Sequence, residues 1–289
     1  MKSLTIAILN FNSGDYLRRC LESIKNVEGE AEINVIAIDN NSSDQSFDLK
    51  DLKIKDVEFV QNEENLGFSK GYNKTLQKIK SEFVLLLNPD CLLQKGVIKK
   101  ILEDFEEDKK TGAATCKIIL PNGKTDLTAH RGFPTPWASL LYVLGNDSLY
   151  HLTNKMPNEI HEVDAIAGAF FMTKKSILEE VGYLDEDFFL YGEDIDLCLR
   201  IKKKGYKILY DPEVEITHYK GISTGVKKHS QDLTAADSKT RQRAMNAFYE
   251  SMIIFYNKHY KKTYPFAINW LVYLGIYLRW SLAIIKKSV

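Results

Sequence analysis

A chain of 289 residues is long enough to bury one large core, either as a single domain or as a domain with an appendage. Lys plus Arg and Asp plus Glu each number 39, so the formal net charge is zero and no global basic field argues for nucleic acid. Cys20, Cys91, Cys116 and Cys198 lie far apart with no CxxC or zinc-like spacing, which reads as buried free thiols in a reducing cytosol.

The apolar run near Met1 is too short for a signal peptide, and Asn10, Asn12 and Asp15 follow at once, so residues 4–9 read as a first strand. Asn10 to Gly14 is a turn rich in helix-capping residues, and Leu17, Leu21 and Ile24 then share a helical face. Residues 33–38 predict a second strand ending in the polar loop Asp39 to Asp44, and residues 57–60 a third. Asn65 to Asn73 leads into a helix through Leu76 and Ile79. Phe83-Val-Leu-Leu-Leu is a continuous apolar run, as expected of a strand buried on both faces, and Pro89 stops it because proline cannot donate to a ladder. Residues 97–105 predict the next helix. This alternation implies right-handed crossovers and a doubly wound, mainly parallel sheet, with the loops after the first, second and fourth strands on one edge.

Beyond Ala113 the rhythm changes. Residues 117–120 predict a strand before Pro121-Asn122-Gly123, and 126–162 an irregular insertion suited to an acceptor-side lid. An apolar stretch over 163–173, a helix over 174–181, a basic helix ending at Gly205 and alternating strands around Asp211-Pro212 complete a domain over 1–226. Residues 227–243 are polar and predict a linker; 244–289 form an apolar, aromatic helical tail. The run from Phe266 stops at Arg279, short of the ~20 residues of a spanning helix. The Trp, Tyr and flanking Lys residues suit helices lying on a membrane surface, with docking on the domain or on a partner subunit of a homo-oligomer, and lastly a true transmembrane span, as the alternatives.

Asp90 stands just past the carboxyl end of a central strand, where open α/β sheets bind ligands, so it is a candidate to hold a metal or a substrate; the alternative is an Asx turn. Asp39 at another strand end offers acceptors to a nucleobase or ribose, or closes an Asx turn with Ser42. Glu193, Asp194 and Asp196 open a helix. The helix dipole favours acids there, but capping needs only one, and a carboxylate is also the group to take a proton from an attacking hydroxyl.

In this order, Val35-Ile-Ala-Ile-Asp-Asn-Asn-Ser42, Asn65-Leu-Gly-Phe68 with Gly71 and Asn73, Leu87-Asn-Pro-Asp90, and Gly192-Glu-Asp-Ile-Asp196 resemble the successive motifs of family 2 glycosyltransferases of the GT-A fold, across residues 4–225. The nearest subgroup is rhamnosyltransferase-like, of bacterial surface polysaccharide synthesis. The resemblance implies an inverting transfer from a nucleoside-diphosphate sugar, dTDP-rhamnose by subgroup, to a glycan or lipid-linked acceptor at the inner face of the cell membrane. It implies a nucleotide-binding half over 1–112 and an acceptor-side half over 113–226. Donor contacts would come from Asn10, Asp39, Asn41, Asn65, Gly67, Phe68, Asn73 and Asn88, with Lys220 in a loop over the diphosphate. Mg²⁺ or Mn²⁺ would be held by Asp90 and His218, where Asn88 leaves the site one acid short of a full DxD. Asp194 would be the base, with Glu193 second. A sugar-1-phosphate nucleotidyltransferase is the rival enzyme, but Asn10 to Tyr16 has one glycine and no basic residue where a Gly- and Arg-rich loop is expected. A silent carbohydrate-binding or scaffold subunit is the rival from another class.

Overall fold

The computed structural model describes residues 1–49, 57–152, 159–221 and 237–287. Residues 222–225 of the expected diphosphate loop and 227–236 of the expected linker lie outside them. In chain order the first half contains β1 (Ser3–Asn10), α1 (Tyr16–Ser23), β2 (Glu32–Asp39), β3 (Val57–Gln61), α2 (Phe68–Leu76), β4 (Phe83–Leu87), β5 (Cys91–Leu92) and α3 (Val97–Glu107). The second contains β6 (Thr111–Ile119), β7 (His130–Arg131), α4 (Pro136–Val143), β8 (His161–Val163), β9 (Ala165–Ile166), β10 (Phe170–Lys174), α5 (Lys175–Val181), α6 (Glu193–Lys203) and β11 (Lys207–His218). Two long helices follow, α7 (Ser238–His259) and α8 (Phe266–Lys287).

The central sheet runs β3-β2-β1-β4-β10-β6-β11-β5, with β8 also on β11. The first four strands are mutually parallel, as the alternation of strands and helices predicts. Both faces are covered. Leu4, Ile6 and Ile8 of β1, with Phe83, Leu85 and Leu87 of β4, pack with Leu17 and Leu21 of α1 and Ile98 and Ile101 of α3. The alternate residues Ala7, Leu9, Val84 and Leu86 pack with Tyr72 and Leu76 of α2 and Leu197 and Ile201 of α6. Period-two alternation thus sends hydrophobic side chains to both sides, which is why these strands read as unbroken apolar runs. β10 enters antiparallel to both β4 and β6.

Two strands extend beyond their sequence-predicted bounds. β6 begins at Thr111 because Gly112 is a close approach: a Cβ there would lie 2.5 Å from Ile201 Cγ2. β11 continues through Pro212 as a single strand, its register against β6 shifting between Asp211 and Glu215. A bulge is the expected place for a residue without an N–H.

The tail departs further from expectation. Residues 238–243 are not linker but the first turns of α7, where the Asp237 carboxylate accepts from the Thr240 amide at 2.7 Å. Nor does Arg279 end α8, which runs unbroken to Lys287; Phe266–Ile285 is long and apolar enough to cross a membrane by length and composition. An arginine costs a helix little in propensity, so charge alone does not stop one. α7 is docked on the domain through buried Ala244, Ala247, Ser251, Phe255 and Tyr256. At its end His259 Nε2 lies 2.7 Å from Asp196 Oδ1, while Arg200 Nε donates to Asp196 Oδ2 at 2.7 Å. Replacing His259 by Ala leaves one side of a fully buried carboxylate unpaired; the expected cost is about 1–3 kcal/mol, read as a lower urea midpoint. An unchanged midpoint would mean that α7 contributes nothing through this contact.

Candidate active site

Parallel register brings the polar strand ends together. Asn10 lies opposite Asp39, and Asp39 opposite Gln61. Asn10 Nδ2 donates to Asp39 Oδ1 at 2.9 Å and to Ser46 Oγ at 2.9 Å. Asp39 is buried and also accepts from Ser42 Oγ at 2.6 Å and Ser42 N at 3.0 Å, so the Asx turn admitted by the sequence is present. Asn41 is exposed with φ at +61°, a left-handed conformation that Asn tolerates. Asn40, which sequence reasoning passed over, is the hub of this corner. Its Nδ2 donates to Asn65 Oδ1 at 3.0 Å and Gly67 O at 2.9 Å, and its Oδ1 accepts from Asn62 Nδ2 at 3.1 Å.

Gly67 does not present an open amide cradle. Its φ is +79°, and a Cβ there would meet the Phe189 carbonyl oxygen at 2.5 Å. The Phe68 amide at the start of α2 donates to that same carbonyl at 2.6 Å. Glycine is required here for the approach of the 184–192 segment. Asn65 supports it by accepting from the Gly67 amide at 2.9 Å. The Phe68 ring packs edge-on to Tyr72, centroids 4.9 Å apart. Asn73 turns to the same segment, donating to Leu184 O at 2.8 Å and Glu186 Oε1 at 3.0 Å and accepting from Leu184 N at 3.2 Å. These partners belong to the loop before α6 rather than to the strand ends.

The chain turns after Pro89, and β5 pairs antiparallel with the end of β11, setting His218 opposite Cys91. The Tyr219 amide adds a bond to Asp90 O at 3.0 Å. Side chains 128 residues apart in sequence (218 − 90) are thereby brought together: His218 Nε2 lies 3.1 Å from Asp90 Oδ1, both buried. Two adjacent donors on an octahedral cation with bonds of roughly 2.1 Å stand about 3 Å apart, so this pair fits Mg²⁺ or Mn²⁺ without rearrangement. His218 Nδ1 is buried with no hydrogen-bond partner among the described residues. Cys91 is close enough to be a third donor, but its thiol donates to Ala169 O at 3.4 Å and burial pushes it well above the ordinary thiol range. A protonated thiol is a poor ligand for a hard cation, which leaves Asp90 and His218. Asn88, half-buried, is tied through its amide to Ala169 O at 3.0 Å.

Lys220 is already engaged. Its Nζ donates to both oxygens of Asp126, at 2.8 and 2.6 Å, and to Thr128 Oγ1. Burial would raise the Asp126 carboxyl, but Lys220 and Thr128 hold it at about 2. The expected loop cation is instead a clamp between the chain after β11 and the 126–152 insertion.

Asp194, in the first turn of α6, is held from two sides. Arg131 Nη2 donates to its Oδ2 at 2.9 Å, and the Gly168 amide to the same oxygen at 3.2 Å. Arg131 is the functional candidate that sequence reasoning missed; it stands between His130 and Gly132 with no motif around it to signal a role. Gly168 immediately precedes Ala169, whose carbonyl accepts from Asn88 and Cys91. Adjacent Cα atoms are about 3.8 Å apart. The candidate base and the chain neighbours of Asp90, namely Asn88 and Cys91, therefore bond to one dipeptide just before β10.

A family model for glycosyltransferase-like family 2 matches residues 2–246. The chain belongs to that family. It is 25% identical over 240 residues to an N-acetylglucosaminyl-diphospho-decaprenol L-rhamnosyltransferase of Mycobacterium tuberculosis, covering 77% of this chain and 78% of the relative. It is 26% identical over 262 residues to the low-salt glycan biosynthesis hexosyltransferase Agl10 of Haloferax volcanii, covering 88% and 78%. Among solved structures, GalNAc-T7 with UDP, GalNAc and Mn²⁺ superposes with a TM-score of 0.59 at 18% identity, over 90% of this chain and 58% of that one. The fold is accordingly GT-A, and the protein is a glycosyltransferase of family 2.

In this glycosyltransferase the two acids opening α6 are not equivalent. Glu193 is buried, and desolvation, reinforced by the neighbouring Asp194 charge, pushes its carboxyl up to about 8. Its Oε2 has no hydrogen-bond partner among the described residues. At neutral pH Glu193 therefore keeps its proton, whereas Asp194 accepts from a guanidinium. A raised carboxyl pKa favours the native state while the proton is bound: that contribution is full below the ordinary value of 4.5 and is lost as pH rises through about 8. Glu193→Gln cannot ionise, so its stability relative to the parent should improve from pH 5 to pH 8.5, by up to a few kcal/mol. Parallel melting-temperature profiles for the two proteins would show that Glu193 is not protonated in the folded state.

Proposed function

We propose that the enzyme is an inverting glycosyltransferase that moves a sugar from a nucleoside-diphosphate donor, dTDP-rhamnose in the first instance, to a hydroxyl of a glycan or lipid-linked glycan. The observation that carries this reading is the buried Asp90–His218 pair, whose chain neighbours Asn88 and Cys91 bond to Ala169 O, next to the Gly168 amide that donates to Asp194. The acceptor's proton and the donor's leaving diphosphate have to be handled within a few ångströms of one another, which a carboxylate and a metal pair tied to adjoining residues of the chain would allow. Asp90 and His218 would hold Mg²⁺ or Mn²⁺, which when bound neutralises charge on the diphosphate. Residues 1–112 would bind the nucleotide, with Asp39, Asn10 and Asn41 facing the base and ribose once the Ser42–Ser46 bonds give way. Asn65, Gly67 and Phe68 would shape that pocket, Asn73 and Lys220 would support it from outside, and Asn88 would face the diphosphate. Residues 113–226 would form the acceptor side.

Asp194 would accept the proton of the attacking hydroxyl; Glu193, already protonated, cannot do so. Arg131 holds Asp194 oriented against the Gly168 amide. The M. tuberculosis relative acts on a polyprenyl-diphosphate acceptor according to its name, which favours a lipid-linked acceptor here. The reading extends to a cytoplasmic enzyme at the inner face of the membrane, held through its C-terminal helices, with a homo-oligomer as the alternative use of those helices.

Asp194→Asn should leave nucleotide-sugar binding near that of the parent while transfer falls at least about 10³-fold, beyond the 10²–10⁴ range of general-base removal only if orientation is lost too. Equal loss of donor affinity would mark Asp194 as a structural acid. A thermal-shift panel of nucleotide sugars with and without Mn²⁺ should give its largest rise with one donor plus metal, and none for Asp90→Asn with His218→Ala. Absence of any shift, hydrolysis or transfer favours a scaffold subunit; release of pyrophosphate from a sugar phosphate and a nucleoside triphosphate favours the nucleotidyltransferase. Arg131→Met should lower kcat by about tenfold or more with donor KM little changed, because the guanidinium that orients Asp194 from 2.9 Å is gone; a loss of melting temperature and donor affinity in step with kcat would show that Arg131 only supports the fold.

A further inference from the structure

α8 is built inside out for a soluble helix. Its polar and aromatic positions face α7: Asn269 Oδ1 accepts from Tyr256 at 2.6 Å, Tyr273 donates to Asn257, and Trp280 Nε1 donates to Asn246 at 3.3 Å. These pairs run in opposite senses along the two chains, so α8 is fastened antiparallel to α7, which is itself pinned to Asp196. The apolar stripe faces outward, with Trp270 and Leu278 each 55% exposed and Ile285 60%. A second exposed apolar stripe adjoins it. On α4, Trp137 is 61% exposed, Val143 59%, and the following Leu144 71%. The two helices meet where the Arg279 guanidinium lies 5.7 Å over the Tyr142 ring.

Charge identifies what covers this surface. Apart from Lys258, which is paired with Asp185 and Asp187, residues 251–289 contain Lys261, Lys262, Arg279, Lys286 and Lys287 and no Asp or Glu, in a chain whose net charge is zero. Lys261 and Lys262, in the turn before α8, and Arg279 are exposed. Exposed Trp and Leu rimmed by cations without acids suit the interface of an anionic bilayer. Because α8 is tied along α7, it lies in the surface plane rather than crossing it.

We propose that α4 and α8 form one face that sits on an anionic lipid surface, and that α4 thereby sets the acceptor entrance against the bilayer. Pro136 follows Arg131, the partner of Asp194, by five residues, a reach of at most about 18 Å. The acceptor class that follows is a glycan whose lipid anchor stays in the membrane while its hydroxyl reaches Asp194. This last step rests on the reading of Asp194 as the base.

The test is co-sedimentation of the full chain with phosphatidylcholine vesicles, with and without phosphatidylglycerol, for the parent, Trp137→Glu with Leu144→Glu, and Leu278→Glu with Ile285→Glu. The parent should bind the anionic vesicles, and each pair should weaken binding by about tenfold or more while melting temperature is retained. Binding lost in the α8 pair but unchanged in the α4 pair would overturn the joint face and leave a tail anchor alone. No vesicle binding, with a dimer that either pair dissociates, would assign the face to a second copy of this chain and overturn the proposal. The thermal shift by nucleotide sugar and Mn²⁺ is measured on the same proteins. Vesicle binding that follows both pairs without any donor shift supports the face while removing the transferase reading beneath it.

Discussion

The two-residue strand β5 is the constraint on which the rest of the site depends. Proline ends β4, and four residues later the chain is pairing with the far end of β11 instead of continuing along β4. Strand pairing has a period of two, so a one-residue slip would turn the affected side chains to the opposite face. The backbone bond from Tyr219 to Asp90 holds the register on the other side of the contact. The Asp90–His218 contact is therefore a product of backbone pairing rather than of two side chains finding each other. On the proposed reading, that would supply a substitute for the missing acid at Asn88 at little entropic cost, because both donors are already held together.

The N-terminus of α6 shows how three acids can share one buried turn. Asp196 is neutralised by Arg200 and His259, and although burial would raise its carboxyl, those partners hold it below the usual range. Asp194 is paired with Arg131. Glu193 has no such partner and keeps a proton instead. An unpaired carboxylate in this setting would cost several kcal/mol, so each acid meets burial in a different way. In the middle position the Arg131 guanidinium meets Asp194, and a neutral Glu193 avoids adding a negative charge beside that pair.

The parts of this arrangement that could be read from the sequence are those encoded locally. Continuous apolar runs such as residues 83–87 report burial on both faces, and a polar residue directly after such a run must lie at the strand end, which places Asp39 and Asp90 correctly along the edge. Contacts set by distant chain segments were not legible. Gly67 looks like a phosphate-loop glycine, and only the path of Phe189 shows that the backbone itself fills the space. Lys220 resembles a free loop cation until Asp126, 94 residues away, is seen beneath it. Arg131 has no motif around it, and its role comes entirely from the β7–β9 pairing that carries it to α6. In the tail, composition gives amphipathic helices but not which face meets protein, since Asn and Tyr on α8 are spent on α7.

That last inversion changes what the tail is. α7 covers the segment leading into α6: Arg243 lies 3.8 Å over the Phe189 ring, and the Ser251 Cβ would lie 3.3 Å from a Cβ on Gly192. The same Phe189 carbonyl caps α2 at Gly67. A single loop is thus pressed between the nucleotide-side helix, the helix carrying the candidate base, and the first tail helix. α8 is bonded along α7, and α7 in turn reaches through His259 to Asp196, two residues from Asp194. The first tail helix is thereby part of the packing that fixes the loop before α6 rather than an appendage to it.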